Sequence, residues 1–222
     1  MRKIYLLVFI TAGIGFTSNA QISKGSLFLG GSFGAFSSTS KEDTPSNFES
    51  KNSGFSFFPQ IGKAIGTNKI AGLTLGYNQS TNKSNFNGQK QESKGYSAGA
   101  FYRRYYSVSS RFYLFGQGVL EWRHVNERQE NDNALQRTSN NENFNFSITP
   151  GISYAASQRI HLEASLNELL ALGYQTGKSK NYNATGGVSG TSTQKNLYLA
   201  GNGNGFSSIT IGIRWILPSK TK

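Results

Sequence analysis

Eight segments of this chain alternate apolar and polar side chains with a period of two, near residues 26–38, 54–64, 70–82, 95–107, 112–126, 143–156, 160–175 and 205–217. Successive side chains of a β-strand point to opposite faces, so this period makes one face oily and the other polar, whereas a helix needs a period of 3.6. In the third segment Ala71, Leu73, Leu75 and Tyr77 interleave with Gly72, Thr74, Gly76 and Asn78. In the fifth, Phe112, Leu114, Leu120 and Trp122 oppose Tyr113, Phe115, Gln117, Glu121 and Arg123. The last segment, "FSSITIGIRWIL", puts Ile209, Ile211, Ile213, Trp215 and Leu217 on one parity and Arg214 on the other.

The connections add a second regularity. Tight joins, "GTNK", "VSSR" and "SQR", follow the second, fourth and sixth segments, while long polar stretches near 39–53, 83–94, 127–142 and 176–204 follow the others. Short turns at one end and long loops at the other are the asymmetry of outer-membrane barrels. The expected fold is all-β: an eight-stranded antiparallel up-and-down transmembrane β-barrel. The last long stretch is nearly low-complexity and reads as a loop.

Charge placement decides which face is outside. No lysine lies in the interior of the eight segments; Lys63, Lys69, Lys83 and Lys94 sit at their ends. A water-facing strand surface normally carries Lys and Glu. Here the polar parity is Ser, Thr, Asn, Gln and Gly with a few Arg and Glu, which suits a narrow lumen, so the apolar parity faces lipid. A soluble lipocalin-like ligand-binding barrel also alternates and is the rival architecture. Tyr77, Tyr96, Trp122, Phe144 and Tyr174 fall near the loop ends on the outward parity, and Tyr102, Phe112, Tyr154 and Trp215 near the turn ends. Two such belts match the two membrane interfaces.

The N-terminus sets the compartment. Arg2 and Lys3, an apolar run from Ile4 to Phe16, and Ser18 and Ala20 before Gln21 read as a signal peptide cut after Ala20. The run is too short for a spanning helix, which needs roughly 20 residues. Residues 1–20 are the expected signal and 21–222 a single barrel domain. Lys plus Arg number 23 against 11 Asp plus Glu, a net charge of +12. Export argues against nucleic acid as the partner of that charge and favours outer-membrane lipids and lipopolysaccharide. With no cysteine there is no disulfide framework, thiol nucleophile or thiolate metal site.

The stretch "SFFPQIGKAIGTNKIAGLTLGYNQS" resembles the second and third strands of the outer-membrane protein β-barrel domain family, with Pro59, Gly62 and a tight Asn turn. "FYRRYYSVSSRFYLFGQGVLEW" is similar to its fourth and fifth strands and "SITPGISYAASQRIHLEASL" to its sixth and seventh. The resemblance implies a small porin-like, OmpA/OmpX-type barrel and brings no site residues. Thr210, Gly212, Trp215 and Leu217 resemble the terminal pattern read by the barrel-assembly machinery during insertion, and "PSKTK" beyond them departs from it. A monomer is expected.

The lumen is the remaining place for chemistry. Arg103, Glu121, Arg123, His161, Glu163 and Arg214 take inward parity, with Gln60 and Gln117. An eight-stranded barrel is only wide enough for side chains to fill, and buried charges must pair. The expected pairs are Arg103 with Glu121 and Glu163 with Arg214, in a packed structural network; a pore or ligand pocket is the other use of such a lumen. Glu168 breaks the seventh segment on the outward parity, where a bulge would fix the register.

No catalytic, cofactor or metal residues are expected. "HLEAS" places His161, Glu163 and Ser165 on one face, the residue types of a lipid A-modifying hydrolase, but alternate strand residues stand nearly 7 Å apart and a nucleophile needs its base at about 3 Å. His124 is expected on the outward rim with Asn126 beside it. Two separated histidines without Cys give no metal-ligand spacing. A non-enzymatic structural or surface-binding role in the outer membrane is the resulting expectation.

Overall fold

The computed structural model describes residues 21–42, 48–85, 88–132, 134–166, 168–201 and 209–218. The expected signal segment and residues 205–208 of the last expected strand lie outside the described residues. The regular elements are strands: β1 (Leu27–Glu42), β2 (Phe48–Gly66), β3 (Lys69–Ser84), β4 (Lys90–Ser107), β5 (Phe112–Asn131), β6 (Ala134–Ala155), β7 (Ile160–Leu166), β8 (Leu170–Tyr182), β9 (Val188–Gly201) and β10 (Ile209–Leu217).

Eight of them close a ring of antiparallel neighbours, β1 to β7 in sequence order, then β10 and back to β1. β8 continues the course of β7 along β6, from Ile148↔Leu170 to Arg137↔Asn181, and β9 pairs with β8 above β10. The barrel therefore has eight staves, the seventh made of β7 and β8 and the eighth of β10 and β9. Glu168, at φ 43°, sits between β7 and β8. Left-handed backbone is costly for a residue with a Cβ, and it marks where the ladder is re-aimed.

Three tight connections lie at one end. Asn68 takes φ 58° between β2 and β3, a conformation Asn tolerates. Ser109 Oγ accepts from Phe112 N at 3.2 Å between β4 and β5, and Ser157 Oγ accepts from Ile160 N at 3.0 Å between β6 and β7. Hydroxyls that satisfy backbone donors in this way stabilise short turns.

The opposite end differs from the sequence reading. Most of the four stretches expected as loops is strand. β5 and β6 pair as far as Asn131↔Ala134, β3 and β4 as far as Lys83↔Lys90, and β1 and β2 as far as Glu42↔Phe48. The expected loop 176–204 is largely the hairpin of β8 and β9, paired to Tyr182↔Val188. Four hairpins thus project as extended ladders.

Side-chain direction follows the alternation. Leu73 and Leu75 are 61% and 60% exposed, while Thr74 between them is 5% exposed. One row of outward rings follows the register, Phe33↔Phe57↔Tyr77↔Tyr96 and then Trp122↔Phe144↔Tyr174. Tyr77 and Tyr96 meet at 5.1 Å between centroids. A second set, Tyr102, Phe112, Tyr154 and Trp215, faces outward near the turn end, with Phe112 and Tyr154 4.9 Å apart. From Trp122 to Phe112 is about 34 Å along the strand, or about 25 Å of height at barrel tilt, the thickness of a membrane barrel's apolar band.

The turn end is filled from inside. Phe28, Ile70, Phe101, Tyr105, Tyr113, Phe115 and Ile216 form a buried cluster with Ala64 and Ala155. Ile22 joins them as a stopper, because the segment before β1 folds across the opening: Asn68 N donates to Ile22 O at 3.0 Å and Ile22 N to Asn68 Oδ1 at 3.1 Å.

Candidate functional site in the barrel lumen

Above that apolar plug lies a layer of buried charge. β4 contributes Arg103 and Tyr105, β7 contributes Glu163, and β10 contributes Arg214, all inward and buried. Arg103 Nη1 donates to Glu163 Oε2 at 2.7 Å and Oε1 at 2.9 Å, and Arg103 Nε donates to Gln117 Oε1 at 2.8 Å. The Tyr105 hydroxyl donates to Glu163 Oε1 at 2.6 Å. Arg214 Nε stands 3.2 Å from Glu163 Oε2 without hydrogen-bond alignment, so that contact is charge against charge. Arg103 also lies over the Phe115 and Phe28 rings, at 4.5 Å and 5.0 Å. Planar guanidinium suits both fork and face contacts, where lysine would not.

Of the two expected ion pairs, Glu163 with Arg214 is observed. Arg103 pairs with Glu163 instead of Glu121. The register explains it: Arg103 lies opposite Gln117, and Glu121 opposite Gly99, four residues further up β4. Glu121 is held by Arg123 on its own strand at 2.7 Å. His161 stands apart from the carboxylate layer, its Nδ1 3.1 Å from Ser153 Oγ and its ring stacked 5.7 Å from Tyr113. The six expected lumen residues thus fall into three groups, and parity alone carries no signal for the partition.

Arg214 also fastens the wall. Its Nη1 donates to Gly31 O at 2.5 Å, next to the last β1–β10 partners, Leu29↔Trp215. A Cβ on Gly30 would collide with the Arg214 side chain, so glycine is required for the arginine to cross there. Above Leu29, among the described residues, β1 pairs only with β2, and β9 pairs only with β8.

The hairpin half of the lumen is open where a packed network was expected. A cavity of about 560 Å³ stands on the charged layer, lined by Ser32, Gln60, Thr74, Glu121, Thr149 and Thr210 among others. Glu168, expected outward, lines it too and accepts from Asn145 Nδ2 at 3.4 Å, its positive φ turning it off the strand parity. The cavity is polar, and the Arg103 and Arg214 side chains form its floor.

Around the outside of the barrel, His124 stacks on Trp122 at 6.2 Å and contacts Asn126 Oδ1 at 3.2 Å. On the projecting hairpins Lys41 meets Glu49 at 3.2 Å and Lys90 meets Glu92 at 2.7 Å. The Lys90 hydrogen bond holds the Glu92 carboxyl below its ordinary range. That support is complete above the unfolded carboxylate's pKa and is lost as pH falls through the lowered one. Among the described residues no three His, Asp or Glu side chains gather as a metal site. No protein-family model and no curated protein matches this chain.

Proposed function

We propose that the barrel is an integral outer-membrane protein, with the tight turns in the periplasm and the hairpins outside the cell, and that its role is surface binding or envelope structure without catalysis. The observation that carries this reading is an apolar outer surface bounded by two aromatic belts, beyond one of which the strands continue as paired hairpins. Exposed apolar area on this scale needs lipid to cover it. The edges of β1 and β9 offer backbone donors and acceptors to which a partner's extended segment can add as a strand. Lys178, Lys180 and Lys195 face outward just above Tyr174 and Leu197, at the level of lipopolysaccharide phosphates. Delivery to the assembly machinery and a monomeric state belong to the same proposal.

The hydrolase reading is disfavoured by the geometry of its own residues. His161 is 1% exposed beneath the charged layer, and Glu163 is committed to two arginines and a tyrosine. Neither is placed to activate a nucleophile toward the outer leaflet.

Replacing residues 179–192 with an Asn-Gly turn tests the proposal, since Lys178 and Thr193 are register partners. The shortened barrel should still migrate as a heat-modifiable band, while adherence of expressing cells to protein-coated surfaces falls about tenfold. Undiminished adherence contradicts the surface-binding role. A lipid A mass spectrum with altered acylation on expression contradicts the absence of catalysis.

A further inference from the structure

The outward face at the turn end carries a group of cations that the lumen does not use. Lys69 on β3 and Arg104 on β4 are direct cross-strand partners, and both are exposed on the outward parity. Lys63 on β2 is the partner of Ala71, which places it diagonally beside Lys69. Cross-strand partners stand about 5 Å apart at Cβ and diagonal neighbours about 7–8 Å, and like charges directly opposite destabilise a sheet. Among the described residues at this end, no Asp or Glu faces outward to offset them; Glu121 and Glu163 are inside the lumen. The Arg104 guanidinium is held over the Tyr106 ring at 4.9 Å, which leaves its donors free of any carboxylate.

The depth is equally specific. Lys69 and Arg104 each lie eight residues from the belt tyrosines, Tyr77 and Tyr96, on their own strands. That is about 20 Å of depth at barrel tilt, near the far boundary of an apolar band about 25 Å tall. Long basic stems reach from such positions into the headgroup layer.

We propose that Lys63, Lys69 and Arg104 form a clamp for the phosphodiester of an anionic phospholipid in the periplasmic leaflet. The inference rests on the membrane orientation proposed above. One phosphate between three cations replaces mutual repulsion with charge-assisted hydrogen bonds, and the neighbouring Tyr102 and Leu73 give its acyl chains an apolar wall. An anionic lipid fits better than an acidic protein, because the three heads emerge at bilayer depth beside exposed apolar side chains.

The test is lipid selectivity in nanodiscs of phosphatidylethanolamine containing one part in ten of phosphatidylglycerol, read by native mass spectrometry of the released protein. Wild-type barrel should retain phosphatidylglycerol in preference to phosphatidylethanolamine. Joint replacement K63Q/K69Q/R104Q should reduce that preference about fivefold per charge, on the order of a hundredfold in all. K83Q, on a hairpin far from the bilayer, should leave it unchanged. Equal retention of the two lipids by wild type overturns the clamp, as does displacement of the bound lipid by millimolar inorganic phosphate. Should the triple variant lose its heat-modifiable band, the wild-type preference still has to weaken with added salt, and a salt-independent preference overturns the proposal. Failure of the wild-type protein to enter nanodiscs at all counts against the membrane reading, separately from the clamp.

Discussion

Glu163→Gln is expected to destabilise the barrel by about 3–5 kcal/mol, read as a fall in the urea midpoint of the protein folded in lipid vesicles. The carboxylate is 4% exposed and is the sole acid in contact with Arg103 and Arg214 among the described residues. Removing its charge leaves two guanidiniums without compensation in a medium where an isolated charge is costly. The magnitude belongs to the stranded charges more than to the lost bonds. Replacing Arg103, Glu163 and Arg214 together by methionine should therefore cost far less than the single change. Glu121→Gln provides the contrast: its partner Arg123 is 40% exposed, and the loss should stay below about 1 kcal/mol. Equal effects at Glu163 and Glu121 would contradict the assignment of the charged layer.

The second large effect concerns the outer surface. Leu73 lies midway between Tyr77 and Lys69 on β3 and is 61% exposed. On a protein surrounded by water, Leu73→Arg would change stability by no more than about 0.5 kcal/mol. At the midplane of a bilayer the same change costs about 2–4 kcal/mol. The difference separates the membrane barrel from the soluble ligand-binding barrel. A matched substitution at Lys83, on a projecting hairpin, should be neutral in either case.

Much of the barrel was legible from the sequence, for a physical reason: the two-residue repeat is a property of every strand that separates two environments. Leu73, Thr74 and Leu75 fall on the faces their parity assigned, and the three tight turns lie at "GTNK", "VSSR" and "SQR" as expected. The projecting hairpins were missed because both of their faces are polar. With no apolar face, "KSKNY" and "TSTQKN" read as loop although they pair residue by residue. Parity also gives a face without a height. Arg103, Glu121 and Glu163 were all correctly turned inward, yet their partners depend on stagger around the ring, which a single strand does not contain. The apolar plug had a visible trace in the consecutive Leu27, Phe28 and Leu29, where the middle residue breaks alternation because it faces the filled end of the lumen. Glu168 departed from parity for a local reason, the positive φ that separates β7 from β8.

We propose an inside-out barrel, with lipid against its apolar parity. Because the chain has no cysteine, single cysteines at positions 71, 73, 74, 75, 77 and 78 of β3 can each carry one nitroxide label without removing any native thiol, and the packed glycines Gly72 and Gly76 are left intact. In vesicles, labels at 71, 73, 75 and 77 should collide with dissolved oxygen, which concentrates in the bilayer, while those at 74 and 78 should be protected from it. A uniform profile, or oxygen access at the even positions, would contradict the account.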